Sequence, residues 1–311
     1  MISNTTSPLS LFLISALHES GGGYSGRLFD GHPQLKVYPF EMQLGLKTQK
    51  EDFEGYCFQP RYRWPRFPQS LKNYGQLHRS ISDTELKRYL MDRSKSKFSR
   101  FELQISGADW KRDFARRLKK RRGRLRRPAI IEAYLLSFFS QWKNRIRSQR
   151  EWAILGHCPV ILFDAEAIFA DFPKSKMVHL VRNPIATFHD TRLRLPKLKP
   201  QEFCAIWNFT AYFAHYCRIK YPSRLLVVRY ENLISKKVET LKRMCRFFGI
   251  SYSPCLQEPS WNGERLNSVW PFGGIPHPST AYERSVGKSL PKKIRNSIKR
   301  FTLPAGALYG Y

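Results

Sequence analysis

Residues 9–33 of this 311-residue chain read LSLFLISALHESGGGYSGRLFDGHP, and this stretch decides the fold. The apolar run from Leu9 to Leu17 predicts a buried strand, and helical spacing resumes after the glycines. Between the two lie Ser20 and three glycines, which allow a tight turn and a close approach of backbone amides to an anion. A strand, a glycine turn and a helix in this order are typical of a phosphate-binding site.

The same stretch nearly matches the P-loop pattern of nucleotide hydrolases. Gly21 and Gly26 have the required spacing, but Arg27 and Leu28 stand where that pattern has Lys and then Ser or Thr. Without that hydroxyl, a bound Mg²⁺ loses its usual protein ligand. The sequence therefore argues against an ordinary ATPase or GTPase. The sequence does not explain why the acidic Glu19 stands next to a turn suited to anions.

Composition and charge narrow the class of protein. Lys and Arg number 54 against 24 Asp and Glu, a formal net charge of +30, and 42% of the residues are hydrophobic. The apolar content predicts a folded protein, and the length suits one large α/β domain or two small ones. The charge predicts polyanions or anionic surfaces as partners or substrates. We expect a cytoplasmic protein, since the Leu9–Leu17 run is too short to span a bilayer and lacks signal-peptide features.

The cysteines show no C-x-x-C pair and no zinc spacing. We therefore expect six reduced, buried thiols. They are Cys57, Cys158, Cys204, Cys217, Cys245 and Cys255.

Strands and helices are predicted to alternate along the chain, which favours a parallel sheet with right-handed crossovers. Strands are expected at Leu35–Phe40, within Trp152–Phe163, at Met177–Val181 and at Leu225–Val228. Helices are expected within Asp83–Arg150, at Glu166–Phe172, from Ile185 onward, at Pro200–Lys220 and at Lys236–Phe248.

Residues 50–150 differ in character from the rest. Residues 50–80 are rich in Pro, Arg and aromatics and predict an irregular loop or lid. Within the helical pattern that follows, Lys111–Arg127 holds eleven Lys or Arg among seventeen residues. This block is either a solvated helix face with a linker, or a docking surface for an acidic substrate, a membrane or a nucleic acid.

Four segments in order resemble the sulfotransferases that use 3'-phosphoadenylyl sulfate, closest to their bacterial, carbohydrate and tyrosylprotein branch. Residues 17–33 share with that family's opening motif Leu17, Ser20, Gly21, Arg27, Leu28, Asp30, His32 and Pro33. The other similar segments are Phe172–Arg182, Leu226–Leu233 followed by Phe247-Phe248-Gly249, and Arg284–Lys288 with the closing Leu308–Tyr311.

The resemblance implies a P-loop-like α/β fold, with a central parallel sheet flanked by helices and a basic helical insertion. It implies one domain over residues 1–311, with residues 50–150 as the variable insertion. It also implies transfer of a sulfuryl group from 3'-phosphoadenylyl sulfate to a hydroxyl of a carbohydrate or another small or polymeric alcohol, without a metal. The missing P-loop hydroxyl agrees with metal independence. Acidic or polymeric acceptors fit the net charge of the chain.

The resemblance also implies where the donor binds. The backbone amides of Ser20, Gly21, Gly22, Gly23 and Tyr24 would hold its 5'-phosphosulfate. Arg182, at the end of a strand, would bind the 3'-phosphate, for which a guanidinium is geometrically suited. The remaining predicted donor-binding residues are Asp190, Tyr230, Arg284, Ser285, Val286 and Gly287.

A general base must take the proton of the acceptor hydroxyl. Glu41 follows the His32-Pro33 signature at a distance close to that of the catalytic glutamate of the tyrosylprotein branch. His18 and His157 are the other candidates, because a histidine titrates near neutrality. A structural role remains open for each of the three.

The chain departs from the family's pattern where the chemistry is expected. Glu19 and His157 stand at usual basic positions, and Asp190 replaces a phosphate-binding Ser. Three hypotheses follow: an active sulfotransferase, a degenerate member that binds nucleotide or a partner without turnover, and a nucleic-acid or membrane-surface binding protein that uses Lys111–Arg127.

Overall fold

The computed structural model describes residues 8–45, 62–67, 73–81, 84–96, 98–121, 125–267 and 278–311. The strands of its central sheet are β1 Ser10–Ala16, β2 Leu35–Glu41, β3 Ala153–His157, β4 Lys176–Val181 and β5 Leu225–Arg229. Their order is β2-β3-β1-β4-β5, and every neighbouring pair is parallel. A short antiparallel pair, β6 Ser260–Trp261 and β7 Glu264–Arg265, lies outside this sheet.

Helices connect the strands. The α-helices are α1 Gly22–Leu28, α2 Tyr74–Ile81, α3 Thr84–Met91, α4 Gly107–Lys119, α5 Arg127–Gln141, α6 Ala165–Asp171, α7 Pro184–Arg194, α8 Pro200–Lys220, α9 Tyr230–Ser235, α10 Lys237–Phe248, α11 Thr280–Ser285 and α12 Lys292–Ala307. Short 3₁₀ turns occur at Arg93–Lys95, Ile161–Asp164, Pro254–Gln257 and Val286–Ser289. Among the described residues, no helix is long and apolar enough to cross a membrane.

Strand β1 lies in the middle of the sheet and is covered on both faces. Leu11 and Leu13 belong to one apolar cluster, whereas Phe12 and Ile14 belong to another. Alternate residues of a strand point to opposite faces, so the continuous apolar run is explained by helices that pack on both sides. The predicted α/β fold with a parallel central sheet is confirmed.

The structure corrects several predicted boundaries. The stretch Trp152–Phe163 is a strand only at β3, because Pro159 lacks an N–H for the ladder and Val160 adopts a positive φ of 50°. The helical pattern up to Arg150 ends at α5, after which Trp142 Nε1 donates to Asn144 Oδ1 over 2.9 Å. Within the predicted irregular stretch 50–80, residues 74–80 are helical as part of α2.

The expectation of buried thiols holds for four of the cysteines that the structure describes, but Cys255 is exposed. Cys57, residues 50–61 and 68–72 of the predicted lid and residues 122–124 of the basic block lie outside the described residues.

The end of α1 is fastened by Asp30, a member of the family signature. Asp30 Oδ2 accepts hydrogen bonds from Ser260 Oγ over 2.7 Å and from the Gly263 N–H over 2.9 Å. His32 of the same signature bonds through Nε2 to the Ser251 carbonyl over 2.9 Å, while its Nδ1 accepts from the Gln34 N–H. Both side chains are buried, so these signature residues have structural roles.

We predict that Asp30→Ala lowers the free energy of unfolding by about 1–3 kcal/mol, because it removes the carboxylate that accepts from the buried Ser260 hydroxyl and from the Gly263 N–H. Urea denaturation followed by circular dichroism measures this loss. Glu166→Ala serves as a control, because it removes an exposed ion pair with Lys220 and should cost no more than about 1 kcal/mol. Equal midpoints for the two variants would contradict the structural role of Asp30.

Candidate active site

A glycine turn at the carboxyl end of β1 forms the centre of the candidate site. The Ser20 N–H donates to the Leu17 carbonyl over 3.0 Å, and Gly21 has a φ of 85°. The first i→i−4 bond into α1 runs from the Ser25 N–H to the Gly21 carbonyl over 2.9 Å. The amides from residue 22 to residue 24 precede that bond, and first-turn amides have no acceptor within their own helix. They can therefore bind an anion.

Two neighbouring side chains explain why this turn needs glycine. A Cβ on Gly21 would lie 2.1 Å from ring atoms of Tyr230, and a Cβ on Gly22 would lie 2.4 Å from Nε2 of His157. Both distances are too short for any side chain. Tyr230 and His157 therefore close directly on the turn, which brings two predicted site residues into contact with it.

Two serine hydroxyls near the turn are buried without a hydrogen-bond partner among the described residues. They are Oγ of Ser20 and Oγ of Ser25. Buried polar atoms usually have partners, so unpaired hydroxyls here are consistent with a site for a polar ligand. Ser20 belongs to the predicted phosphate-binding residues.

Arg182 lies at the end of β4, as predicted, with a side chain only 5% exposed. Its Nη1 donates to the Glu19 carbonyl and to Asp190 Oδ2, both over 2.6 Å. Its Nε and Nη2 donate to the two carboxylate oxygens of Glu283 over 2.9 and 2.7 Å. The guanidinium lies over the ring of Tyr230, 5.1 Å from the ring centroid. Burial alone would lower the pKa of Arg182, but the carboxylates of Glu283 and Asp190 raise it.

Sequence reasoning missed the acidic partner Glu283 and its neighbour Tyr282. The Tyr282 hydroxyl donates to Asp190 Oδ1 over 2.6 Å, and His189 Nδ1 lies 2.9 Å from the same oxygen. Asp190 is thus a hydrogen-bond and ion-pair partner of Arg182 within the protein. The only sequence signal was the position of Glu283 immediately before the predicted donor-binding segment.

The segment after Glu283 lies beside the site, although two of its side chains point to solvent. Arg284 and Ser285 are exposed, whereas Val286 is buried. A Cβ on Gly287 would lie 2.4 Å from Ile185 Cγ2, so the segment packs against the start of α7.

Besides Asp190, which replaces a phosphate-binding Ser, α7 carries two hydroxyl side chains, Thr187 and Thr191, that could bind a phosphate in its place. Both hydroxyls instead donate within the protein, Thr187 to the Asn183 carbonyl over 2.9 Å and Thr191 to the Thr187 carbonyl over 2.7 Å. Both residues are buried. Neither hydroxyl is available in this structure.

Glu19 is paired with a partner that the sequence did not identify. Its Oε1 lies 3.0 Å from Nε of Arg194, in the last turn of α7. Burial raises the pKa of Glu19, while the charge of Arg194 lowers it. The negative charge of Glu19 is therefore balanced by Arg194, which lies outside the turn.

Arg27, which stands at the position of the P-loop lysine, points toward the core rather than toward Glu19. Its Nη2 donates to the Tyr38 carbonyl in β2 over 3.2 Å, and its guanidinium lies over the Trp261 ring at 5.2 Å. Its burial lowers its pKa. Arg27 therefore binds α1 to the core and does not replace a P-loop lysine.

The three candidate bases lie near the turn. Glu41 and His157 are register partners at the carboxyl ends of β2 and β3. Glu41 is half-buried and accepts from Gln43 Nε2 over 2.6 Å, and its charge contributes to the raised pKa of Glu19. The ring of His18 packs edge-on against Tyr62 at 5.0 Å. Glu41 and His157 are thus adjacent to the turn.

A family model described as "Sulfotransferase family" matches residues 65–254, which is more than half of the chain. The chain belongs to the sulfotransferase family. The matched range contains His157, Arg182, Asp190 and Tyr230, but neither the glycine turn nor α11. No curated protein matched this sulfotransferase in a sequence search.

Solved structures resemble the whole sulfotransferase chain. The sulfotransferase domain of the Synechococcus PCC 7002 olefin synthase has a TM-score of 0.59 at 16% identity, covering 98% of this chain and 96% of that one. The sulfotransferase domain of the curacin biosynthetic pathway has a TM-score of 0.49 at 15% identity, covering 97% and 99%. A sulfotransferase from Alicyclobacillus acidocaldarius has 0.44 at 14%, covering 95% and 92%. At 16% identity, the first of these supports the fold alone.

We predict that Gly21→Ala destabilises the protein by about 2 kcal/mol or more, because it combines a positive φ with a clash against Tyr230. Gly107→Ala is the matched control: its Cβ would meet nothing within 4 Å, and loss of a helix glycine should be neutral or stabilising by up to about 1 kcal/mol. Urea denaturation measures both. If Gly21→Ala were as stable as the control, the contact between the turn and Tyr230 would be wrong.

Proposed function

We propose that this sulfotransferase transfers a sulfuryl group from 3'-phosphoadenylyl sulfate to a hydroxyl of a carbohydrate or another small or polymeric alcohol. The observation that carries the proposal is the position of Arg182 beside the glycine turn, where Nη1 lies 2.6 Å from the Glu19 carbonyl. A guanidinium and a set of first-turn amides therefore lie within the length of one nucleotide.

The residues present fit such a donor. The buried, unpartnered Ser20 hydroxyl and the first-turn amides of α1 support an anion at the turn. The Ser20 N–H is already bonded to the Leu17 carbonyl, so its hydroxyl, together with the amides from Gly21 to Tyr24, would hold the 5'-phosphosulfate. Arg182 would hold the 3'-phosphate. Tyr230 packs between these two positions, against both Gly21 and Arg182.

The reaction needs a base and a stabilised leaving group. The acceptor oxygen forms a bond to sulfur, the bond between sulfur and the bridging phosphate oxygen breaks, and the hydroxyl proton passes to the base. We assign the base to Glu41 or His157, which lie side by side at two strand ends next to the turn. Amides of the turn would stabilise the charge on the leaving phosphate.

Metal independence is part of this proposal and rests on the sequence, since Leu28 replaces the P-loop hydroxyl that holds Mg²⁺. The described residues contain no group of three or more His, Cys, Asp or Glu that is arranged to hold a metal ion.

Transfer of radiolabelled sulfate to carbohydrate, phenol and alkyl alcohol acceptors tests the proposed activity. We expect that Glu41→Gln or His157→Gln lowers kcat by at least about 10²-fold, as loss of a general base does. The variant that loses activity should still bind adenosine 3',5'-bisphosphate. The control Glu166→Gln should change neither kcat nor the affinity for this nucleotide. If both variants still formed product at the rate of the unmodified protein, neither Glu41 nor His157 would be the general base.

A second candidate function is nucleotide binding without turnover. Glu19 favours it, because a carboxylate stands at a usual basic position and is paired only with Arg194 among the ion pairs of the described residues. The same assay distinguishes the two functions. Nucleotide binding with no sulfated product for any acceptor would support the second.

We further propose that the basic surface of α4 receives an acidic or polymeric acceptor. Arg116, Arg117, Lys120 and Arg121 line one cleft. Asp113 pairs with the first two of these and Glu132 pairs with Arg121, so only part of the positive charge is neutralised.

The double variant Lys119→Glu and Lys120→Glu reverses two exposed charges on this surface. We expect it to raise KM several-fold for a polyanionic acceptor and to leave KM for a neutral acceptor unchanged, because only the former is attracted by the surface. Measured KM values that change equally for both acceptors would contradict this docking surface. Nucleic acid or anionic vesicles as competitors test the other polyanions that the sequence allowed.

A further inference from the structure

Helix α11 places a carboxylate in the position where Arg182 would receive an anion. Glu283 binds the guanidinium with both oxygens, over 2.9 and 2.7 Å, and its side chain is only 8% exposed. A paired, bidentate contact of this kind is how arginine binds a phosphate. Glu283 therefore makes inside the protein the contact that a phosphate would make.

The contacts of Arg182 leave little capacity for a second anion. A guanidinium has five N–H donors. Four hydrogen bonds are already made, two to Glu283, one to Asp190 and one to the Glu19 carbonyl. A phosphate cannot form a paired contact with Arg182 unless one of these acceptors leaves.

Glu283 is the acceptor best placed to leave. Asp190 lies within α7, and the Glu19 carbonyl is part of the glycine turn, so both are fixed by their elements. Helix α11, in contrast, has six residues, five of which are exposed. Its described contacts to Arg182 and α7 come from Glu283 and from the Tyr282 hydroxyl, which donates to Asp190. Directly after it, Val286 is buried and Gly287 packs on Ile185, so the chain is anchored next to a weakly held helix.

We propose that Glu283 is a specificity-determining residue that competes with the 3'-phosphate of the donor for Arg182. The inference rests on the proposed function. Binding of a nucleotide with a 3'-phosphate exchanges one anion for another at Arg182 and moves α11. The apparent affinity for such a nucleotide is therefore lower than its intrinsic affinity, because only molecules in which Glu283 has released the guanidinium can bind the 3'-phosphate. A nucleotide without the 3'-phosphate does not enter this competition.

Isothermal titration calorimetry with two nucleotides on the full chain tests the proposal. The probes are adenosine 3',5'-bisphosphate and adenosine 5'-phosphate, which differ only in the group that Arg182 would bind. We expect Glu283→Gln to tighten binding of the bisphosphate at least about tenfold, because the neutral amide is a weaker competitor for the cation. Affinity for the monophosphate should change by less than about twofold, as expected for a group that it does not contact.

Two further variants protect the test against effects on folding. Glu151→Gln disrupts a comparably buried, bidentate pair with Arg145 at the opposite end of β3, and should leave the ratio of the two affinities unchanged. Tyr282→Phe removes only the hydroxyl that fastens α11 to Asp190. It should tighten bisphosphate binding about three- to tenfold, the equivalent of one hydrogen bond.

The outcomes separate the inference from the function on which it rests. An unchanged affinity ratio in both Glu283→Gln and Tyr282→Phe, with nucleotide still bound, overturns the role of Glu283 and leaves the proposed function standing. Weaker bisphosphate binding in Glu283→Gln also overturns it, since Glu283 would then support the ligand. Binding of neither nucleotide to any variant overturns both.

Discussion

The arrangement of the candidate site depends on one buried cation. Taking a guanidinium out of water is costly unless it is paired and hydrogen-bonded, so the surroundings of Arg182 must supply acceptors. They come from the glycine turn, from α7 and from α11, and Tyr230 of α9 packs on its face. Its own carbonyl accepts from Trp207 Nε1 of α8 over 3.1 Å. A single residue thus sets the relative positions of five elements.

The local charge of the site is opposite to that of the whole chain. The formal net charge is +30, yet four carboxylates surround the turn: Glu19, Glu41, Asp190 and Glu283. Screening in salt limits the reach of exposed surface charges to about 8–10 Å, whereas the buried groups act at contact distance. Under the proposed function, the carboxylates would therefore act on the ligand groups bound at the turn, whereas the basic surface would act on the approach of a polyanion.

Much of the fold could be predicted from the sequence because each signal was local. A compact apolar run such as Met177–Val181 is sufficient to indicate a strand covered on both faces, and a glycine turn limits where a backbone can approach an anion. The end of the apolar run also predicted where β4 ends, and so placed Arg182 at the carboxyl end of a strand. What the sequence could not predict is the partners of individual side chains. Nothing local indicates that Glu19 pairs with Arg194, or that Arg27 turns toward the core and Tyr38.

Signature residues also proved hard to interpret from the sequence alone. Asp30 and His32 identified the family, yet the structure gives them hydrogen bonds to Ser260, Gly263 and Ser251, all more than 200 positions away. A motif records that a residue type is required and does not record whether a ligand or the fold requires it. Only the long-range contacts distinguish the two.

The separations along the chain at Arg182 have a consequence for folding. Two of its three partners, Glu19 and Glu283, lie 163 and 101 positions away, so loop-closure entropy opposes these bonds until the parallel sheet is largely complete. We therefore expect the cluster to form late on the folding pathway. Contacts absent from the transition state act on the unfolding rate and hardly on the folding rate, which stopped-flow kinetics separates. The buried guanidinium would then serve as a kinetic latch, which holds the completed molecule closed without having guided its assembly.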